Sequence, residues 1–453
     1  MEPVHAVVLA AGKGTRMRSD LPKVLHRVCG QPVVQYVLDA LHHAGISVPI
    51  LVIGHGADRV RQVIGPQVRY AEQADPLGTG HAVLQALPLV PEDGHPVVVV
   101  YGDTPLLRAE TLQALIDLHQ KSRAAATLLS AELVDPTGYG RVIRDRDGRV
   151  QRIVEEKDGS AEEHRLKEIN AGTYVFDQRA LRDGLRALSP DNEKGEYYLT
   201  DTIGWILSHG RTVSALSVAP DEAMGINSRQ ELAAAEAVMR QRLLAGLMDA
   251  GVTVMDPATT YIHAGVTVGP DTTLHPQSFL EGATIVGARC TVGPHAHLTD
   301  ATLEDRVTVI ESTVTQSSVG EGTRIGPYSH IRPGCRVGRS VEIGNFAELK
   351  NAAVGNDTKV HHMSYLGDVT VGARVNIGAG TVVCNFDGKR KHHTIIEDEA
   401  FIGSDTMLVA PIHIGRAAVT GAGSVVTKDV PAGGVAVGVP ARVIRYVSAD
   451  PPR

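Results

Sequence analysis

The feature that most restricts this chain is a repeat. From about Gly251 a small aliphatic residue is followed by glycine at six-residue spacing. Examples are Val286-Gly287 with Val292-Gly293, Val319-Gly320 with Ile325-Gly326, Val337-Gly338 with Ile343-Gly344, and Val371-Gly372 with Ile377-Gly378. Ile402-Gly403, Ile414-Gly415 and Thr420-Gly421 extend the pattern. A hexapeptide period predicts a parallel β-helix. Small aliphatics stack inward as columns, and glycine or polar residues turn the corners. Only the stacking of neighbouring coils buries a core.

The repeat breaks twice. One break, Val383 to His393, is a basic loop ejected from a coil. The other runs from Lys359 to Gly367 and holds His361 and His362. Adjacent histidines on a strand are expected to point to opposite sides, so one of them faces any given cleft. A general base wants a pKa near working pH, which histidine supplies, although two corner histidines on the surface fit the pattern equally well.

The first 227 residues follow a different grammar, alternating strand and helix patterns. Val4–Leu9, Ile50–Ile53 and the β-branched run Val97–Tyr101 read as buried parallel strands. Val33–Ala44 reads as a helix stopped by Gly45. Such alternation implies an open α/β sheet with ligands outside the carboxyl ends of its strands. The loop after the first strand, Leu9-Ala10-Ala11-Gly12-Lys13-Gly14-Thr15-Arg16-Met17, offers backbone N–H groups and positive charge to an anion, with Lys23 just beyond. Alone it is a phosphate loop of no assigned kind. Met17 stands where the Rossmann fingerprint wants a third glycine, and the Walker spacing is absent. Asp103, in Tyr101-Gly102-Asp103, follows the buried run and suits a hard cation, or a helix cap. Gln73–His81, Pro136–Arg141, Val154–Lys157 and Ile169–Gly172 read as polar loops.

Between the halves, Ser228-Arg229-Gln230-Glu231 fits a capping box ahead of an alanine- and leucine-rich helix to about Ala250. This gives three expected segments: 1–227, a joining helix over 228–250, and 251–453. The net charge of −7 gives no footprint for nucleic acid. No apolar run is long enough for a membrane span, and the first residues carry no basic, cleavable leader. Cys29, Cys290, Cys335 and Cys384 show no metal spacing and read as reduced thiols of a cytoplasmic protein.

The loop at 9–17, Lys23 and Tyr101-Gly102-Asp103 resemble the sugar-1-phosphate nucleotidyltransferases. Residues 73–82, 135–141, 153–158 and 195–201 narrow this to the uridylyltransferase half of the bacterial bifunctional N-acetylglucosamine-1-phosphate uridylyltransferase/glucosamine-1-phosphate acetyltransferase family. Residues 331–334, 343–350, 362–368, 375–381 and 401–404 resemble its acetyltransferase half.

The resemblance implies a Rossmann-like domain, a linker helix and a left-handed parallel β-helix. It implies two reactions: acetylation of glucosamine 1-phosphate by acetyl-CoA, then uridylyl transfer from UTP with Mg²⁺, yielding a precursor of cell-wall polymers. In the first half Leu9, Ala10, Ala11 and Gly12 would hold the nucleotide, with Gln73, Gly78 and Thr79 on the uracil side. Arg16 and Lys23 would stabilise the phosphates. Tyr101 and Gly102 would line the site, Gly140, Glu155 and Asn170 would bind the sugar, and Asp103 and Asn227 would hold Mg²⁺. In the second half His362 would be the general base. Arg332, Lys350, Tyr365 and Asn376 would bind the sugar phosphate. Ala379, Asn385, Phe386, Ser404, Ala422 and Arg442 would meet coenzyme A, with Arg445 as an alternative to Arg442 and Asn385 orienting His362 or stabilising the oxyanion. Hexapeptide acyltransferases are trimers with sites between subunits, so the resemblance implies a homotrimer with His362 in a cleft shared by chains. A single-activity nucleotidyltransferase with a structural or regulatory β-helix is the alternative.

Overall fold

The computed structural model describes residues 3–193 and 195–447; the outermost ends of the first and last expected segments, including Met1 and Glu2 of the leader reading, lie outside these. The chain divides into two compact units, Met1–Met239 and Arg240–Arg453.

The first unit is built on a nine-stranded sheet. In chain order its main elements are β1 (His5–Leu9), α1 (Val33–His43), β2 (Ile50–Ile53), α2 (Ala57–Ile64), β3 (Arg69–Glu72), α3 (Thr79–Ala86), β4 (Val97–Tyr101) and α4 (Ala109–Ser122). There follow β5 (Ala126–Glu132), the hairpin β6 (Arg141–Arg144) and β7 (Val150–Val154), then β8 (Glu168–Phe176), α5 (Gln178–Arg186), α6 (Asp201–Ser208) and β9 (Val213–Val218). The sheet order is β9-β5-β8-β4-β1-β2-β3, with the hairpin attached to β8 through β6. Strands β3, β2, β1 and β4 are parallel, and the β-branched run of β4 is buried over Val97–Val100, as a strand covered on both faces must be.

Beyond β4 the sheet turns mixed, because β8 runs antiparallel to both β4 and β5. This corrects one expectation. Ile169–Gly172 is not a loop; it lies within β8, where the register slips between Asn170 and Tyr174. Gly172 takes a φ of 72° there, and a Cβ on it would collide with the Tyr101 ring at 2.6 Å. A bulge with an unpaired stretch reads as a loop in sequence but as a re-aimed strand in space.

The helix α7 (Arg229–Asp249) follows, and the division between the units falls within it. Its start is braced as a variant capping box. Ser228 Oγ accepts the Glu231 N–H at 3.2 Å, while the Glu231 carboxylate reaches back one residue further, to the Asn227 N–H at 2.8 Å.

The second unit is a three-sided parallel β-helix built mostly of two- and three-residue strands, with seven-residue strands at Glu348–Val354 and Tyr365–Val371. Bonded positions on successive coils are mostly 16 to 18 residues apart, and 25 apart across the ejected basic loop. Leu274, Val292, Val309, Ile325, Ile343, Val360 and Ile377 form one inward column, all at most 2 % exposed. Where a glycine follows the inward aliphatic, it serves coil stacking. A Cβ on Gly378 would lie 2.5 Å from Ser404 N, and one on Gly355 would lie 2.5 Å from the Gly372 carbonyl carbon.

Corners are turned chiefly by non-glycine residues at positive φ, such as Asp271, Gln277, Arg289 and Asp300. A second buried column is polar. Thr272, Thr323 and Thr358 each donate a hydroxyl to a carbonyl of the next coil, at 2.7–2.8 Å, and accept an N–H from it. The β-helix ends on a reversal, Gly434–Gly438 pairing antiparallel with Ala441–Tyr446.

Candidate functional sites

The first unit carries a cavity of about 560 Å³ outside the carboxyl ends of β1 and β4. Leu9, Ala10, Ala11 and Gly12 leave β1 into its wall, and Tyr101 and Asp103 leave β4. Gln73, Gly78 and Thr79 line one end. Gly140 and Glu155, at the two ends of the β6–β7 hairpin, line it with Asn170 of the β8 bulge. Arg16, Lys23 and Asn227 complete the expected set, and only Gly102 stands behind the wall. Gly102 donates its N–H to Leu9 O at 2.9 Å and so ties the two strand ends together. Met17, at the missing third glycine, is 1 % exposed and fills the core under the loop.

The charge arrangement is compact. Lys23 Nζ donates to Asp103 Oδ2 and, at 3.0 Å, to Asn227 Oδ1, so both expected metal ligands converge on one cation. Asp103 also accepts the Ile226 N–H at its backbone carbonyl, 2.9 Å away, which fixes Asn227 beside it. A hard divalent ion takes a carboxylate, an amide oxygen, waters and substrate phosphates. Two oxygens already focused on a positive charge fit that donor set. Among the described residues no group of three or more His, Cys, Asp or Glu side chains could hold a metal, so an ion here needs the ligand's oxygens too.

Burial pushes the Tyr101 phenol well above its ordinary range, aided by the nearby Glu155 and Asp103 charges. It stays a neutral donor, next to Tyr174, whose hydroxyl accepts the Asn170 amide at 2.6 Å. Arg141, 2 % exposed, pairs with Glu156 at 2.8 Å and donates to the Leu166 and Tyr139 carbonyls, pinning the loops beside Gly140 and Glu155. The stretch 195–201 has a structural use that its sequence does not announce. Tyr197 N–H donates to Leu77 O at 2.8 Å and Tyr197 O accepts Gly80 N–H at 2.7 Å, clamping the Gly78 turn.

In the second unit His362 is exposed at a coil corner. The opposite-sides expectation fails here, because neither histidine is on a strand. His362 and Met363 both have positive φ, near 53° and 54°, and the two imidazoles lie 5.6 Å apart. His361 pairs with Glu342 at 3.1 Å. His362 Nδ1 lies 2.7 Å from Asn345 Oδ1 of the preceding coil.

Ala379, Ser404 and Ala422 continue the same corner on later coils, linked by Gly380 N–H to His362 O, Asp405 N–H to Ala379 O and Gly423 N–H to Ser404 O. Asn376 lies on the strand before this corner and Tyr365 on the strand after it. Arg332 and Lys350 share Tyr365's face. Arg332 pairs with Glu348 at 2.8 Å, and Lys350 is pushed down from its ordinary range by Lys391 foremost and by Arg332.

Among the described residues Asn385 does not meet His362: its amide donates to Asp368 Oδ2 at 2.6 Å, and His362 Nδ1 meets Asn345 instead. Burial would raise the Asp368 carboxyl, but hydrogen bonds from Asn351 and Asn385 and the nearby lysines hold it below its ordinary range. Phe386 stands exposed in the ejected loop, and Arg442 lies on the final antiparallel strand. All four cysteines are free thiols, three of them buried.

The fold and the two constellations define a nucleotidyltransferase domain joined to a hexapeptide-repeat transferase. Residues 6–197 match the MobA-like NTP transferase domain, residues 316–351 the bacterial transferase hexapeptide, and residues 393–428 the hexapeptide repeat of succinyl-transferase. The chain is 51 % identical over 433 residues to the bifunctional protein GlmU of Heliobacterium modesticaldum, covering 95 % of this chain and 94 % of that one. It is 47 % identical over 438 residues to GlmU of Brevibacillus brevis (96 % and 95 % covered) and 45 % identical over 448 residues to GlmU of Shouchella clausii (98 % and 99 % covered). The chain belongs to the GlmU family of bifunctional proteins, whose β-helix is left-handed.

Proposed function

We propose that the chain makes UDP-N-acetylglucosamine in two steps, with residues 251–453 acetylating glucosamine 1-phosphate, residues 1–227 transferring uridylyl, and 228–250 joining them. The observation that carries this reading is the gathering of two residue groups, one in the cavity at the strand ends of the sheet and one on and beside the β-helix corner that holds His362, Ala379, Ser404 and Ala422.

In acetyl transfer, Nδ1–H donated to Asn345 leaves His362 Nε2 with a free lone pair. That nitrogen takes a proton from the substrate amine as the amine attacks the thioester carbonyl, and returns it to the departing thiolate of coenzyme A. Arg332 and Lys350 hold the sugar phosphate, with Tyr365 and Asn376 on the sugar. Ala379, Ser404 and Ala422 form the small-residue floor along which the coenzyme lies, and Asn385, Phe386 and Arg442 meet it further out. Tyr328, Phe346 and Met363 are 56 %, 56 % and 68 % exposed around His362, which favours a second copy of the chain covering this corner in a homotrimer.

In uridylyl transfer, an oxygen of N-acetylglucosamine 1-phosphate attacks the α-phosphorus of UTP and pyrophosphate leaves. Asn170, Glu155 and Gly140 orient the sugar phosphate, and Arg16 and Lys23 offset the phosphate charge. Asp103 and Asn227 would hold Mg²⁺, which would supply positive charge to offset the charge on the phosphates. No helix of the described residues is long and apolar enough to cross a membrane, in keeping with a cytoplasmic enzyme that keeps its thiols reduced.

A coupled assay with glucosamine 1-phosphate, acetyl-CoA and UTP tests the reading. His362→Ala is expected to abolish acetyl transfer and spare uridylyl transfer, and Asp103→Ala to do the reverse. Loss of both activities in each folded variant refutes two independent sites, and loss of neither refutes the residue assignments.

A further inference from the structure

Behind the expected uracil end of the cavity lies a hydrogen-bond layer, His81 and Gln85, that does not line the cavity itself. Gln73 lines the cavity and is only 6 % exposed. Its Nε2 lies 3.0 Å from Gly78 O and 3.0 Å from His81 Nδ1. A carbonyl oxygen only accepts, so the amide end facing Gly78 is the NH₂ end. Both of its hydrogens are used, one on Gly78 and one on His81. Among the described residues Oε1 has no hydrogen-bond partner, which leaves an acceptor for a ligand in the cavity.

His81 is itself held. Because Nδ1 accepts, the imidazole proton sits on Nε2, which faces the Gln85 Nε2 position at 3.1 Å, so the Gln85 amide must turn its oxygen there. Only the oxygen of that amide can take the proton. The ring also lies against Tyr197, with centroids 6.4 Å apart. Tyr197 is the residue whose backbone clamps the Gly78 turn, and a Cβ on Gly78 would meet Tyr197 O at 2.6 Å. The carbonyl and the imidazole that fix Gln73 are therefore set by one brace.

We infer that His81 is a positioning residue that locks the Gln73 amide with its oxygen toward the base, and so sets the preference for uracil over cytosine. This rests on the uridylyl reading. Uracil presents N3–H, a donor to Oε1. Cytosine presents a lone pair at N3, which meets the locked oxygen as acceptor against acceptor. To accept cytosine, Gln73 must turn its NH₂ to the base. That places Oε1 against Gly78 O and leaves Nδ1 without a donor. Without the imidazole, only the Gly78 contact resists the turn.

The test compares kcat/KM for UTP and CTP in the full chain, with Mg²⁺ and N-acetylglucosamine 1-phosphate, reading pyrophosphate release. His81→Phe keeps a ring and removes both nitrogens. It is expected to lower the UTP-over-CTP ratio about tenfold, the worth of one well-made hydrogen bond, mainly through KM for UTP with kcat nearly kept. His81→Asn, whose Oδ1 replaces the Nδ1 acceptor, is expected to restore the ratio. Gln85→Leu removes only the Nε2 acceptor and shifts the ratio the same way if His81→Phe does not fold, as judged by circular dichroism and retained acetyl transfer.

An unchanged ratio in folded His81→Phe overturns the inference, as does an equal fall in kcat for both nucleotides. Gln73→Ala separates the two layers. If it collapses the ratio and His81→Phe does not, His81 alone is refuted. If it leaves the ratio intact, the uracil assignment fails with it.

Discussion

On the proposed mechanism, Asn345→Ala isolates what orients the acetyl-transfer base. Asn345 reaches His362 Nδ1 at 2.7 Å across one coil step, and His362 sits at an exposed corner with positive φ. Removing the acceptor frees the ring to rotate and to carry its proton on the nitrogen that must be bare. A side-chain hydrogen bond of this kind is worth about 1 kcal/mol net, and one pointed at the reacting group is realised mostly at the transition state. At 1.36 kcal/mol per tenfold, the expected fall is about fivefold to tenfold in kcat for acetyl transfer. KM for acetyl-CoA should change little, since the Ala379–Ser404–Ala422 ladder is untouched. The assay is release of free thiol from acetyl-CoA, with uridylyl transfer in the same preparation as the control. A folded Asn345→Ala chain with unaltered acetyl-transfer kcat refutes the assignment. A fall in both activities refutes the separation of the sites.

Three further outcomes follow from geometry. Glu231→Ala should raise the Mg²⁺ concentration for half-maximal uridylyl transfer, because the carboxylate holds the Asn227 N–H at 2.8 Å, and should cost about 1 kcal/mol at the helix start, read by denaturant titration. Thr323→Val removes a hydroxyl that joins Gly338 O to Val341 N–H, and should destabilise the β-helix by about 2–3 kcal/mol while leaving uridylyl transfer intact in the folded fraction. Burial, opposed only by Asp177, depresses the His119 pKa below 6.5. The unfolded chain therefore binds the extra proton first, and stability present above about pH 6.5 is lost as pH falls toward the depressed folded value. His119→Asn should flatten the thermal-melting profile between pH 7 and pH 5; an unchanged slope would sink that account.

Periodicity carried the second unit from sequence to fold, since a six-residue repeat leaves one solution for burying Val292, Ile325 and Ile377 in columns. It was silent on how the coils are knitted. Thr272, Thr323 and Thr358 look like ordinary surface threonines until the coils close over them. The place of the cavity was legible because strand ends gather ligands, and every residue expected for uridylyl transfer but Gly102 lines it.

Asn170 was expected by resemblance and lines the cavity, yet its strand was read as a loop, because a bulge spends its residues out of register. Asn345 was passed over for a similar reason. It is 17 residues from His362, one coil away, and strand alternation says nothing about contacts between corners. His81 was read as part of a turn because it touches Gln73 and not the cavity itself.

The reversal at Gly434–Tyr446 has a consequence for the solenoid as a material. A parallel β-helix is a one-dimensional crystal whose last coil is a growth face, its backbone donors and acceptors spaced to accept another identical layer. The antiparallel turn-back replaces that face with a strand of opposite polarity, carrying Arg442 and Arg445 along its edge. An incoming coil meets the wrong register and a row of charge. The hairpin acts as a terminator that keeps a stackable sequence from becoming a fibre.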